Sequence, residues 1–285
     1  LADAVRADRI DVLVDLSGHS GISRLGVFAR QPARVQVAWL GYLHSTGLTR
    51  IQYRICDRHS DPEGSADRLH TETLVRLPES QWCYRPLVGT AAPGPRAGEF
   101  TFGSFNQVAK ITRTSRRLWA EILRRRPQAR MVLLGIPDGA AREDLLRDFR
   151  EGGVDASRLD IAPHLPVADY LRRLGEVDVA LDTTPYSGGT TTCDCLWMGV
   201  PVVTLAGERS ASRSAASILQ TAGLGSWIAH TPEQYVAIAQ GAGREPGPLA
   251  ALRATLRERL RASPLMDEAR FVRDLEDIYR RLAYS

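Results

Sequence analysis

Two rhythms of apolar and polar positions run along the chain. Short apolar runs at 10–16, 35–40, 53–57 and 73–77, and again at 100–105, 131–134, 159–162, 178–182 and 202–205, read as strands buried on both faces. Stretches with helical spacing fill the gaps at 22–30, 114–126, 142–151, 167–175, 190–198, 210–222, 232–239, 249–262 and 267–282. Strands alternating with helices predict an α/β protein with parallel sheets, whose functional loops lie beyond the strand C-terminal ends. The polar loops at 17–20 and 41–47 occupy such ends.

Residues 85–99 break the rhythm, being rich in Pro, Gly and Ala without any period, and read as a linker. They divide the chain into a unit at 1–84 and a second at 100–262; a final helix at 263–285 is expected to pack back on the first. The second unit has a full set of strands. The first has too few for a doubly wound sheet and reads as the tail of a larger domain.

One stretch carries chemistry on local pattern alone. A short apolar run ends at Asp182 and a turn containing Pro185, Ser187, Gly188 and Gly189 follows. A helix then opens on Thr190, Thr191 and Thr192. First-turn amides lack helical partners and sit at the positive end of the macrodipole, so the turn suits an anion, with glycines admitting a phosphate and hydroxyls adding donors. A plain crossover turn remains the other reading. Neither a dinucleotide fingerprint nor a triphosphate-binding loop is present, which points to a nucleotide-sugar.

Composition narrows the class. The chain has 285 residues, 44% hydrophobic and 25% charged, within the globular range. No apolar run approaches the roughly 18–20 residues of a membrane span. The chain opens on Leu1 with neither a signal peptide nor an initiator methionine, which suggests a fragment lacking its N-terminal portion. Four scattered cysteines, with no histidine cluster beside them, suggest reduced thiols, a cytoplasmic setting and no metal. Cys193 and Cys195 would lie on opposite sides of a helix. The net charge of +4 is modest. The run Arg124-Arg125-Arg126 closes a helix and reads as a solvated face, which argues against a nucleic-acid partner.

Four motifs, in order, resemble a known family: Asp15-Leu16-Ser17-Gly18-His19; residues 30–42 around Trp39-Leu40-Gly41-Tyr42; Gly103-Ser104-Phe105-Asn106-Gln107-Val108-Ala109-Lys110; and residues 181–194. Together they look like the catalytic region of the protein O-GlcNAc transferases, a group that includes SPINDLY-like proteins. The resemblance implies two Rossmann-like domains of the glycosyltransferase-B type, the first incomplete here. It implies inverting, metal-independent transfer of GlcNAc from UDP-GlcNAc to Ser or Thr hydroxyls of a protein acceptor, with no further cofactor. Tetratricopeptide repeats are expected upstream, as is another histidine-bearing stretch, so this chain alone is expected to be weakly active.

By the same resemblance Gln107 and Lys110 would meet the donor, Thr190, Thr191 and Thr192 would hold its diphosphate beside Gly189, and Leu165, Tyr170 and Arg173 would line base and ribose. Tyr170 also reads as a core aromatic and Arg173 as a helix C-terminal charge. Asp194 would face the ribose or order the loop. Arg213 matches a family arginine and reads as a positioning group. Lys110 has its own physical case as a cation that could stabilise a departing diphosphate, against a surface lysine at a helix start. His19 and His44 lie on the right loops for a base, and read equally as structural or acceptor-contacting residues. Val167 and Gly189 depart from the lysine and histidine common among O-GlcNAc transferases, and residues 15–19, 188–193 and 198–207 look more like the SPINDLY branch, whose plant members use GDP-fucose; Gln107 leans back toward GlcNAc. A non-catalytic nucleotide-sugar-binding or interaction module is the alternative of a different class. No paired carboxylates at the cleft-facing turns suggest a glycosidase, and no nucleophile elbow suggests a serine hydrolase.

Overall fold

The computed structural model describes residues 1–91 and 94–284. Residues 92 and 93 of the linker stretch, and residue 285 of the last segment, lie outside the described residues. The chain opens with α1 (Ala2–Ala7), β1 (Val12–Asp15), α2 (Leu25–Phe28), β2 (Val35–Trp39), β3 (Tyr53–Asp57) and β4 (Thr73–Leu77). These strands form one parallel sheet in the order β1-β2-β3-β4.

Beyond the linker come β5 (Thr101–Ser104), α3 (Arg113–Arg125), β6 (Arg130–Leu134), α4 (Ala140–Glu151), β7 (Leu159–Ala162), α5 (Val167–Gly175) and β8 (Val179–Leu181). Then follow α6 (Thr190–Trp197), β9 (Val202–Leu205), α7 (Ser214–Thr221), β10 (Ile228–Ala229), α8 (Pro232–Gly241), α9 (Pro246–Ala262) and α10 (Glu268–Tyr284). The second sheet is parallel and six-stranded, in the order β10-β9-β8-β5-β6-β7. Strands alternate between its two cores. Val132, Leu134, Ala180 and Val202 face one side, while Met131, Leu133, Val179 and Val203 face the other. Burial on both faces explains why these strands read as unbroken apolar runs.

The helix expected at 22–30 shrinks to α2, and Gln31 beyond it takes a positive φ of 44°. The one expected at 210–222 splits into a 3₁₀ turn, Ser210–Ser212, and α7. At the split, Ser210 and Arg213 reach across to the first sheet's unit. Arg124 and Arg125 pair with Glu121 at the surface, but Arg126 does not join that solvated face. Its guanidinium lies 3.7 Å from the Phe100 ring centre and donates to the Gly243 carbonyl at 2.6 Å. Cys193 and Cys195 are both buried, because α6 is enclosed by α5, α7 and α9.

The two units touch along a polar seam. Ser217 Oγ donates to Asp57 Oδ2 at 2.7 Å, Ser210 Oγ donates to Asp61, and Arg213 Nε donates to the His59 carbonyl at 2.9 Å. The chain crosses between units twice, and the crossings are joined by Tyr84 N–H donating to the Leu265 carbonyl at 2.7 Å. After the second crossing α10 lies against the first sheet, with Ile278 and Leu282 packed on Val35, Val37, Ile55 and Leu77. No helix among the described residues is long and apolar enough to cross a membrane.

Candidate functional site

The second sheet reverses its order between β5 and β8: β6 and β7 are added on one side, β9 and β10 on the other. The loops leaving two such strands diverge to opposite faces and open a crevice between them. Asn106, Gln107 and Lys110 leave β5 into that crevice, and residues 182–189 leave β8 into it.

Asp182 anchors the second loop. Its carboxylate is fully buried and accepts from Asn106 Nδ2 (3.2 Å), Thr183 N (2.9 Å), Gly188 N (2.8 Å) and Thr204 Oγ1 (2.7 Å). Burial pushes its pKa up from the ordinary carboxylate value. At Gly188 a Cβ would stand 2.7 Å from Thr192 Oγ1 and 3.1 Å from Asp182 Oδ1, so only glycine fits there. Beyond the turn, the Gly189 carbonyl takes the Thr192 amide at 2.9 Å and the Cys193 amide at 3.3 Å. The amides of Thr190 and Thr191 precede the first helical bond of α6 and are free to donate outward. Thr190 is exposed, Thr191 half-buried and Thr192 buried.

Lys110 ends a 3₁₀ turn, Val108–Lys110, and is half-buried. Its Nζ donates to the Ser187 carbonyl at 3.2 Å and sits 4.2 Å from the Tyr186 ring centre. Burial lowers its pKa and the Asp182 charge raises it, with burial the larger effect. The cation therefore stands against the turn that opens α6 rather than on a free surface. Gln107 is exposed at the same rim, and its carbonyl accepts the Lys110 amide at 2.9 Å.

A cavity of about 230 Å³ continues beside Phe105, Gly135, His164, Leu165, Val167 and Tyr170. Leu165 and Tyr170 belong to it; Arg173 does not. Arg173 is turned to the β7 side, paired with Asp160 and with Glu176 at 2.5 Å, which is the structural of its two readings. Asp194 likewise makes the contacts of the second of its two readings. Its buried carboxylate accepts from Tyr84 Oη at 2.8 Å and Tyr170 Oη at 3.1 Å, so it orders the loop. Burial raises its pKa.

The other wall is the first unit. A cleft of about 430 Å³ runs between Tyr42, Leu43 and His44 on one side and Pro185, Tyr186 and Arg209 on the other. Buried Arg54 fixes this wall by donating to the carbonyls of Tyr42 (2.8 Å) and His44 (3.1 Å). Burial lowers the His44 pKa from 6.5, and nearby His70, Arg209 and Arg54 lower it further. His19 lies outside the cleft lining. Its Nε2 binds the Thr46 carbonyl at 2.8 Å and its ring meets Tyr42 edge-on at 5.2 Å, which braces the loop. Arg213 bridges the His59 and Gly207 carbonyls, both at 2.9 Å, and so positions the Gly207 loop. Among the described residues no group of three or more His, Cys, Asp or Glu side chains is placed to hold a metal ion.

Sequence reading missed Asn106 and Asp182 as partners, Tyr84, and Trp82, whose ring would meet a Cβ on Gly189 at 2.9 Å. The signal for Asp182 was its place at the end of an apolar run; Tyr84 and Trp82 gave none.

The crevice, its cation and its helix end lie in the second of two α/β units, and comparison with known proteins gives the family. Residues 1–83 and 96–275 match glycosyl transferase family 41, and the chain belongs to that family. It is 39% identical over 98% of its length to a "Probable UDP-N-acetylglucosamine–peptide N-acetylglucosaminyltransferase SPINDLY" of Petunia hybrida, covering 31% of that protein. A SPINDLY of the same description from Hordeum vulgare is 41% identical over 98% of the chain, which covers 30% of it. The chain thus spans about a third of the length of these relatives. Among solved structures, a lysine-to-methionine mutant of the Thermobaculum terrenum O-GlcNAc transferase superposes with a TM-score of 0.91 at 43% identity, covering 99% of this chain and 54% of that one. The two parallel sheets are therefore those of the glycosyltransferase-B fold.

Proposed function

We propose that this chain is the catalytic region of a protein glycosyltransferase that moves GlcNAc from UDP-GlcNAc to Ser or Thr hydroxyls. The observation that carries the reading is the convergence of Lys110 with the free amides of α6 on one crevice, facing a cleft walled by the other unit. The names of the relatives supply the donor and the peptide acceptor.

In this reading the unit before the linker is the acceptor side, and the unit after it holds the donor. The nucleoside lies in the cavity at Leu165 and Tyr170, and the diphosphate lies on Thr190, Thr191 and Lys110. The acceptor oxygen forms its bond to the anomeric carbon as the bond to the diphosphate oxygen breaks, on the opposite face, so the sugar inverts. Lys110 and the helix end take up the charge of the leaving group, the work a metal does in other transferases. The hydroxyl proton passes to a base. His44 lines the cleft, and its lowered pKa keeps the ring neutral near pH 7, able to accept a proton. A second reading, a GDP-fucose donor, is favoured by the SPINDLY-like form of residues 15–19, 188–193 and 198–207.

Incubation of the full-length protein with each donor and a Ser/Thr peptide, followed by mass measurement, tests the proposal. The expected result is a gain of one N-acetylhexosamine, lost by at least a hundredfold in Lys110→Ala while donor binding falls far less. A deoxyhexose gain would move the reading to fucose. Donor binding with no transfer at all would leave a binding module.

A further inference from the structure

Lys110 and Asp182 do not touch as an ion pair, yet one peptide group joins them. Lys110 Nζ donates to the carbonyl of Ser187 at 3.2 Å, and the N–H of the same peptide unit, on Gly188, donates to Asp182 Oδ1 at 2.8 Å. In a trans peptide the C=O and N–H point in opposite directions. A cation therefore stands at the negative end of this peptide dipole and a carboxylate at its positive end. Each charge strengthens the hydrogen bond made by the other. Asn106 Nδ2, from the loop that carries Lys110, also donates to Asp182 Oδ1.

Resting on the transfer reading above, we infer that Asp182 is a positioning residue for Lys110, holding the ammonium charged and against the turn through the Ser187–Gly188 peptide. The three other donors to Asp182 are all neutral: an asparagine amide, the Thr183 N–H and the Thr204 hydroxyl. A fully buried carboxylate beneath an anion site would repel the donor if nothing balanced it, and Lys110 is the cation whose charge reaches it. The reverse holds for Lys110, since Asp182 alone opposes the loss of its charge on burial. Tyr186, Tyr235 and the Cys195 thiol are the other titratable groups around the pair, and burial keeps all three neutral at and below their ordinary values.

The test uses an accident of composition: Lys110 is the single lysine of the chain. Residues 1–285 grown on ¹³C-lysine give one side-chain signal whose titration is read directly, with no donor present. The expected midpoint lies below that of free lysine. Asp182→Asn should move it to still lower pH, by about one unit, because the anion that favours the charged amine is gone. The alkaline limb of the transfer rate should move in the same direction. The wild-type signal should also show a second inflection on the acid side as Asp182 protonates, a readout that does not depend on the variant folding. A midpoint equal in wild type and Asp182→Asn, or a wild-type signal flat through the acid range, overturns the pairing. Failure of the wild type to transfer any sugar counts against the transfer reading and leaves the titration to decide the pairing.

Discussion

Asp194 gives one carboxylate oxygen to Tyr84 and the other to Tyr170, and so ties α6 to the first crossing segment and to α5. A buried donor left without its acceptor costs about 1–3 kcal/mol, and Asp194→Ala strands two. Its pKa is raised from 3.8 by burial, so the folded state holds the proton over a range where the unfolded chain has lost it. The contribution to stability is then full below 3.8 and declines as pH rises toward the folded value. Asp194→Asn cannot titrate. Its stability relative to wild type should accordingly rise from pH 3.8 upward and then level off, as read by urea unfolding across pH. A relative stability that falls over that range would contradict the burial argument.

At the scale of the element, α6 works because its first turn is open and its flanks are closed. Trp82, on the crossing segment, stands over its N-cap Gly189, where a Cβ would come within 2.9 Å of the indole. Gly189→Ala should displace that ring or the helix end and weaken binding of a nucleoside diphosphate about tenfold, roughly 1.4 kcal/mol. Adding Trp82→Ala should recover most of the loss in a double-mutant cycle by calorimetry. Additive losses would mean that the two do not interact.

The elements legible in sequence were those with enough period to show. The strands Tyr53–Asp57, Thr73–Leu77, Leu159–Ala162 and Val202–Leu205 match their apolar runs, and the helix Val167–Gly175 its helical spacing, to the residue. The two-residue strand Ile228–Ala229 carries no period and was invisible. The site divides the same way. The glycine–threonine turn and Lys110 announce themselves because their chemistry lies in consecutive residues. The Tyr84–Asp194 bond spans 110 residues and depends on where the chain crosses. The two readings of Arg173 could not be separated in sequence because its partner Asp160 lies on β7, the strand before its helix. Periodicity locates elements, but it does not say which side chain of one meets which of another.

In the whole molecule, the seam decides whether the units behave as one. Asp57 and Asp61 are both buried carboxylates, and each accepts a hydroxyl from the other unit. Hydrogen bonds to charged groups contribute about 1.5–3 kcal/mol each. The chain should therefore unfold in one calorimetric transition, and Ser210→Ala with Ser217→Ala should split it in two. Two well-separated transitions in the unaltered protein would show that the seam does not couple them.

The return of α10 to the first sheet has a consequence for biosynthesis. Among the described residues, those of the second unit's two cores all leave the ribosome before α10 does, whereas Val35, Val37, Ile55 and Leu77 meet Ile278 and Leu282 only once α10 has been made. The contact of Ile278 and Leu282 with the first sheet can therefore form only after the whole of the second unit has been made, so this packing is a late event in synthesis.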